Sequence, residues 1–540
     1  MAIALQEQQF GVMEDIRGVA KDVPTVKLST AFAPESSGTF LQDGKVRCMP
    51  GAAATFLDGS DDAVQTTDGN PIIHFWRHIA ASGTEYVFVY TKAHVYIWND
   101  TTKVYTTMFT CDSDCTTWSV VSIDGRVIST NNVDKVQVWL ESTPGTVFAP
   151  LGTASGLDLG AGSYITKARY LAVCENYLWV LGPTEAGTDY PRRGRWSSYG
   201  NVTNFDVTAT GDTSYKDFLQ GSDIIKGAGN YTYGGADVLV IFKEHSTHLA
   251  WLVESDDVWN MVAAEGAVGL LATHSVVNDK EGNVYYAASD YTIRKLHHGP
   301  ISKPRINKTI KGISITHQAN IVAAYIDQYN HLWWSIPSTS GSTGNDKVIA
   351  YNLDYPGVWH EYPFAIRAFG HWSQQTSYTI DGLDAIADTI DGLDAAMSQI
   401  DWVSSLVGYP LELGSDYSGY AYNLHQSTQD MGSDLTRELV LSVQMTRGIS
   451  LQQFKRCYRV DVWTESRATA QTISVHVKKD NEASWTSIGS IDIQGTATIV
   501  NNNVVPNPDM RARHFLFKFS STALFDWIGA LFDYSLDGFL

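Results

Sequence analysis

The stretch Ala236–Leu296, ADVLVIFKEHSTHLAWLVESDDVWNMVAAEGAVGLLATHSVVNDKEGNVYYAASDYTIRKL, decides how the chain is read. Short apolar runs recur along it at Val238–Phe242, His248–Val253, Ser275–Val277, Val284–Ala288 and Tyr291–Leu296. Most are rich in Val, Ile, Tyr or Trp, side chains that suit a pleated surface. Turn formers separate them, first Asp279 to Asn283 with Gly282 between, then Ser289-Asp290. No clear helix-length amphipathic segment interrupts the runs, so the spacing predicts antiparallel strands joined by hairpins. A compact sheet of about four strands, repeated around a ring, would be a propeller blade.

The same rhythm runs outward on both sides. Upstream lie Tyr86–Tyr90, His94–Trp98, Val104–Met108, Trp118–Ile123, Arg126–Ser129, Val136–Leu140, Tyr170–Cys174 and Tyr177–Leu181. Downstream lie Ile321–Ile326, Leu332–Ile336 and Val348–Leu353. At roughly 40–50 residues per blade, residues 66–375 suit six to seven blades. A seventh would be closed by strands from the ends of the chain. No dipeptide recurs from unit to unit, which excludes a WD40 or kelch array, and the pattern favours a propeller over a large sandwich. Residues 1–65 read as irregular. Residues 376–436 read as an insertion, with a tandem TIDGLD repeat at Thr379 and Thr389 followed by a Gly-, Ser- and Tyr-rich loop. Residues 437–540 read as a second β domain, sandwich-like, with strands at Glu438–Met445, Tyr458–Thr464, Thr472–Lys478, Ser487–Ile493, His514–Phe519 and Trp527–Tyr534.

Composition narrows the role. Hydrophobic residues make up 44% of the 540, aromatic residues 12% and charged residues only 18%, which suits an all-β protein with a large core. The formal net charge of −20 argues against a grip on nucleic acid or on an anionic membrane surface, because both need clustered Lys and Arg. An acidic wall still lets a polyanion pass without sticking. The five cysteines, Cys48, Cys111, Cys115, Cys174 and Cys457, are too few and scattered for a disulfide framework, and read as free thiols of a cytoplasmically made protein. No signal peptide or membrane-spanning run is expected.

No nucleophile elbow, zinc-protease motif, Walker loop or dinucleotide fingerprint is present. Cys111 and Cys115 have the look of half a metal site, but no second pair follows at zinc spacing. The carboxylates of Asp381–Asp401 are open to two readings, a Ca²⁺ site or a loop that packs its Ile and Leu. His297-His298 alternate across a strand and read as loop histidines. Arg192-Arg193-Gly194-Arg195, the most compact basic cluster, reads as solvated charge or salt bridges rather than as a phosphate contact. The turn from Asp480 to Trp485 lacks the Ser and Gly of a sialidase Asp box. The chain is therefore expected not to be an enzyme, with no catalytic, cofactor-binding or metal-ligating residue and no cofactor.

Several of these pieces, taken in order, resemble the nozzle, or tail-hub, proteins of short-tailed bacteriophages, also called DNA-stabilisation proteins. Asp43-Gly44 with Arg47 and Pro50-Gly51 resembles the family's early Asp-Gly…Arg-Pro-Gly turn, with two residues inserted. Arg195-Trp196-Ser197 with Asn204-Phe205 is similar to one blade segment. Val238 to Glu244, with Gly266 and His274 to Val276, is similar to another, and Asn283 to Tyr286 with Ser289-Asp290 and Lys295-Leu296 to a third. Lys455-Arg456 and the turn from Asp480 to Trp485 resemble the C-terminal sandwich, and the TIDGLD repeat resembles a loop of such phage proteins. The likeness covers residues 40–540.

The resemblance implies a propeller-plus-sandwich protomer in a hexameric ring that continues the portal and adaptor channel. It implies a virion tail protein, assembled in the bacterial cytoplasm, that retains the packaged genome and conducts DNA during ejection without binding it specifically. Its partners would be its own copies and the portal-side adaptor proteins, which residues 1–65 would touch unless they complete the propeller; tail fibres, spikes and a needle are further candidates. The family has no catalytic residues to carry over. The competing reading is a glycan-binding or glycan-cleaving propeller, a receptor-binding protein or depolymerase, which if cleaving would need two carboxylates roughly 5–9.5 Å apart in a cleft.

Overall fold

Many of the apolar runs are middle strands of small antiparallel sheets, and the most continuous of them are apolar because both faces are covered. In Ala236–Lys243, Leu239 and Ile241 enter one apolar cluster while Val240 and Phe242 enter the next. Glu85–Tyr90 divides in the same way, Val87 and Val89 to one side, Phe88 and Tyr90 to the other. Leu332 and Trp334 likewise part from Trp333.

The computed structural model describes residues 7–12, 19–22, 33–42, 45–60, 62–208, 212–219, 221–233, 235–253, 258–264, 268–339, 342–372, 411–430, 432–443, 454–467, 471–480, 482–495, 498–506 and 510–536. Among these the chain is almost entirely β, and seven antiparallel sheets follow one another from residue 74 onward. The first holds His74–Ile79, Glu85–Tyr90, His94–Asn99 and Val104–Thr110. The second holds Ser119–Ile123, Arg126–Thr130, Gln137–Leu140 and Ala149–Pro150. The third is built on the long hairpin Tyr164–Cys174 and Tyr177–Glu185, continued by Arg193–Trp196 and Ser214–Asp217. The fourth holds Ile225–Tyr233, Ala236–Lys243, Thr247–Leu252 and Trp259–Ala263. The fifth holds Val276–Asn278, Val284–Ala288, Thr292–Lys295 and Gly299–Pro300. The sixth holds Val322–Ile326, His331–Ile336, Lys347–Asn352 and Trp359–Tyr362. The seventh joins Phe369–Trp372, Leu411–Ser415 and Ala421–Ser427 to a strand from far upstream, Gly51–Ala54.

An apolar cluster lies between each sheet and the next. Trp118 and Trp139 of the second sheet meet Phe88 and Tyr90 of the first, and Trp259 of the fourth meets Trp179 of the third. The seventh sheet and the first share a cluster as well, where Trp372 and Leu413 meet Phe75 and Val89. There the backbone of Gly370 comes so close that a side-chain carbon would run into Phe75.

The C-terminal strands form two facing sheets. One runs Glu35–Ser37, Arg437–Val443, Phe515–Ser521, Thr472–Lys479 and Thr486–Asp492. The other runs Thr39–Gln42, Lys45–Cys48, Asp526–Leu536, Lys455–Glu465 and Ile499–Val504, with Glu7–Val12 and Arg511–Ala512 at its sides. Alternate residues, such as Phe515, Phe517 and Phe519 or Val460 and Val462, fill the space between them.

Two expectations are corrected. Residues 1–65 are not irregular throughout: they supply five strands, four to the two facing sheets and Gly51–Ala54 to the seventh sheet. Their partners stand hundreds of positions away, so no local hairpin pattern announces them. The stretch after residue 403 is not only a connecting loop, because Leu411–Ser415 and Ala421–Ser427 pair as a hairpin inside it. The TIDGLD repeat, Asp381–Asp401 and Asp43-Gly44 lie outside the described residues. Among the described residues no helix is long and apolar enough to cross a membrane.

Candidate functional site

The first strands of the sheets surround a cavity of about 300 Å³, to which the first, fourth, fifth, sixth and seventh sheets contribute. Small and apolar residues, among them Gly229, Ala323 and Ala368, make most of its wall. Two histidines stand out from them. The rings of His74 and His274 stack with centroids 4.9 Å apart and planes 25° apart. His274 Nε2 lies 3.0 Å from Thr117 Oγ1, two residues before the first strand of the second sheet. Burial holds the His74 pKa well below the usual imidazole value, and the neighbouring His274 adds to the effect. Burial pushes His274 down to about 4, with the Arg367 charge as a second cause. Both rings are therefore neutral at pH 7. Among the described residues no carboxylate lines the cavity, so none of them supplies the paired acids of a glycosidase there.

A second cluster sits where the sixth and seventh sheets meet the hairpin of Thr39–Gln42 and Lys45–Cys48. The rings of His331 and His360 stack at 5.5 Å, and His425 stands edge-on to Tyr329 at 4.8 Å and to Trp333 at 5.2 Å. Glu412 Oε2 is 3.9 Å from His425 Nε2. Burial pushes Glu412 up to about 7 and His425 down to about 3, so the pair meets as neutral groups near pH 6 rather than as an ion pair. Among the described residues neither ring nitrogen of His425 has a hydrogen-bond partner.

The basic cluster of the third sheet is structural. Arg193 clamps Asp217 through two bonds of 2.7 and 2.9 Å and reaches Glu185 at 2.9 Å. Arg195 clamps Glu185 at 2.7 and 3.1 Å, and Tyr190 and Tyr215 lie under the guanidiniums. Arg193 and Arg195 thus have their charge answered within the sheet. His297 and His298 are exposed on the turn before Gly299–Pro300. Asp480 accepts the Arg513 and His514 N–H groups at 2.8 and 2.9 Å, which makes its turn a backbone clamp. Cys111 hydrogen-bonds with Cys115, and that contact with burial raises its thiol. Among the described residues no group of three His, Cys, Asp or Glu stands close enough to hold a metal ion. Sequence reasoning singled out neither His74, Arg367 nor Glu412, since lone polar residues next to apolar runs carry no spacing signal.

No family model matches the chain, and no curated protein matches it. Among solved structures it is similar to the computationally designed Ika8 protein, at 9% identity and a TM-score of 0.36, covering 69% of this chain and 100% of the other. A likeness that slight carries no argument about fold or role.

Proposed function

We propose that the chain is a structural subunit of the tail nozzle of a short-tailed bacteriophage. In this reading the seven sheets are the blades of a β-propeller and the two facing sheets are its sandwich domain. Copies form a ring, hexameric as in the family it resembles, below the portal and adaptor. The ring retains the packaged genome and lets DNA pass during ejection.

The observation that carries the reading is the run of apolar clusters, each shared by consecutive sheets and the last by the seventh and the first. Radially arranged blades bury themselves in this way. The axial cavity, about 300 Å³, is far too small for a nucleic-acid strand to thread, so a conduit would lie between copies. A net charge of −20 suits a wall past which DNA slides. Val104, Tyr215 and Val262 are exposed on outermost strands of the first, third and fourth sheets, with Val147 and Leu219 beside such strands. They offer apolar area for the head-to-tail contacts that close a ring.

Native mass spectrometry of the purified chain tests the reading. A single closed oligomer supports it, and a monomer at every concentration overturns it. A glycan array and a reducing-sugar assay are expected to be blank, and a signal in either favours a sugar-directed propeller.

A further inference from the structure

The sheet built on Asp526–Leu536 and Lys455–Glu465 has two open margins. Glu7–Val12 pairs with Asp526–Leu536 on one side, and Ile499–Val504 and Arg511–Ala512 pair with Lys455–Glu465 on the other. Among the described residues no further strand lies beyond either margin. Unbroken rows of paired residues cross the sheet from one margin to the other. One row reads Phe10, Phe532, Val460, Val504, the next Gly11, Leu531, Asp461, Asn503. Another row, through Ser535 and Arg456, ends in opposite charges, Glu7 on one margin and Arg511 on the other.

An unpaired margin is a template for another strand, and proteins guard such margins with bulges, short strands, Lys or Pro. The facing sheet follows this rule. One of its margins, Glu35–Ser37, is three residues long, and the other, Thr486–Asp492, carries a register shift opposite Val475 and His476. Glu7–Val12 and Ile499–Val504 are unguarded. Both are six residues long, neither ladder has a register shift, and neither strand contains Lys, Arg or Pro. Ile499 and, just past the strand, Val505 are exposed.

The number of strands decides what can extend this sheet. Four antiparallel strands stand across each row, so the first and the fourth run in opposite directions. A copy rotated about an axis can then set its Glu7–Val12 against its neighbour's Ile499–Val504 as one more antiparallel ladder. Continued rows would place Phe10 beside Val504 and Glu7 beside Arg511. Joining one margin to the opposite margin of the next copy is the head-to-tail contact that closes a ring.

We propose that copies of this chain join by strand addition, Ile499–Val504 of one copy receiving Glu7–Val12 of the next. The inference rests on the ring reading above and names the surface that joins the copies.

The test is cysteine cross-linking of the full chain carrying both Gly11→Cys and Asn503→Cys. Within one copy these positions are three strand spacings apart, about 14 Å, which no disulfide spans. Oxidation by a small disulfide should therefore give a ladder of covalent oligomers on a non-reducing denaturing gel, and each single variant should give nothing beyond the wild-type background. Cross-linking by Asn503→Cys alone would show that margin pairing with itself and overturns the proposal. An assembled ring in native mass spectrometry with no ladder also overturns it and leaves the ring reading standing, whereas a monomer at every concentration ends both. If the double variant fails to fold, amide hydrogen exchange of the wild-type chain decides. Residues 499–504 should exchange at least about 10-fold more slowly in the oligomer than in the diluted monomer. Equal rates overturn the proposal.

Discussion

Arg437 Nε donates to the main-chain carbonyl of Met49 at 2.9 Å, across 388 positions of sequence. The same guanidinium donates to the carbonyls of Leu435, Thr522 and Thr428 at 2.8–3.0 Å, and the side chain is fully buried. Met49 precedes the strand Gly51–Ala54, Thr428 follows Ala421–Ser427 and Thr522 follows Phe515–Ser521. One side chain thus fastens the upstream strand of the seventh sheet to the sandwich. Arg437→Met leaves four carbonyls without this donor and is expected to cost at least about 3 kcal/mol. Arg437→Lys should not restore the loss, since an ammonium lacks the planar fork. Urea unfolding followed by tryptophan fluorescence checks this; a change under about 1 kcal/mol contradicts it.

Gly370 and Phe75 mark the contact between the seventh sheet and the first. A β-carbon at position 370 would overlap Phe75, on strands whose neighbours are buried. Gly370→Val is expected to cost about 2–3 kcal/mol by overpacking. The measurement is the melting temperature, which should fall; an unchanged value would mean that the two sheets are not held together there.

The cluster of His331, His360, His425 and Glu412 makes stability depend on pH. Asp354, whose charge acts on His331, and Asp327 and Arg47, whose charges act on Glu412 and Tyr329, are the other charged groups facing it. Burial lowers His331 to about 4 and His425 to about 3 from an ordinary 6.5. The unfolded chain therefore binds more protons than the folded one below pH about 6.5, and stability falls as the pH drops. Glu412, raised from 4.5 to about 7, acts in the opposite sense, costing stability as pH rises through that window. The histidines outnumber it. Acidification from pH 6.5 to 4.5 is expected to destabilise the protein, each histidine contributing about 1.4 kcal/mol per pH unit. Urea midpoints across this range should fall, and less steeply in His425→Phe; a flat profile would contradict the account.

Glu185 carries both Arg193 and Arg195 with little exposure of the three side chains. Glu185→Gln leaves Arg195 without its carboxylate and Arg193 with Asp217 alone, and should cost about 3 kcal/mol. Calorimetric melting checks it. A loss no larger than that of an exposed pair would place the arginines in solvent.

Much of this architecture was legible in the apolar runs. Ala236–Lys243 and Val284–Ala288 fall where the sequence puts them, because strands buried on both faces read as continuous Val, Ile and Tyr segments. Gly51–Ala54 was not legible, since its sequence GAAA has no β preference and is chosen for closeness: a β-carbon on Gly51 would overlap the Gln429 carbonyl. Ile499–Val504, reading IVNNNV, is polar because it lies at the margin of its sheet. The histidine pair was illegible for another reason. His74 and His274 come together only through the placement of two separate sheets, and no spacing along the chain encodes that meeting.

The most direct test of the central claim, the proposed tail-nozzle role, is an electron cryomicroscopy reconstruction of the phage particle that the proposal requires to carry this chain. The account predicts several copies arranged around the tail axis, each a seven-bladed disc with a sandwich beside it, enclosing an acidic channel between them. A particle without the chain, or with a single copy off the axis, would contradict it.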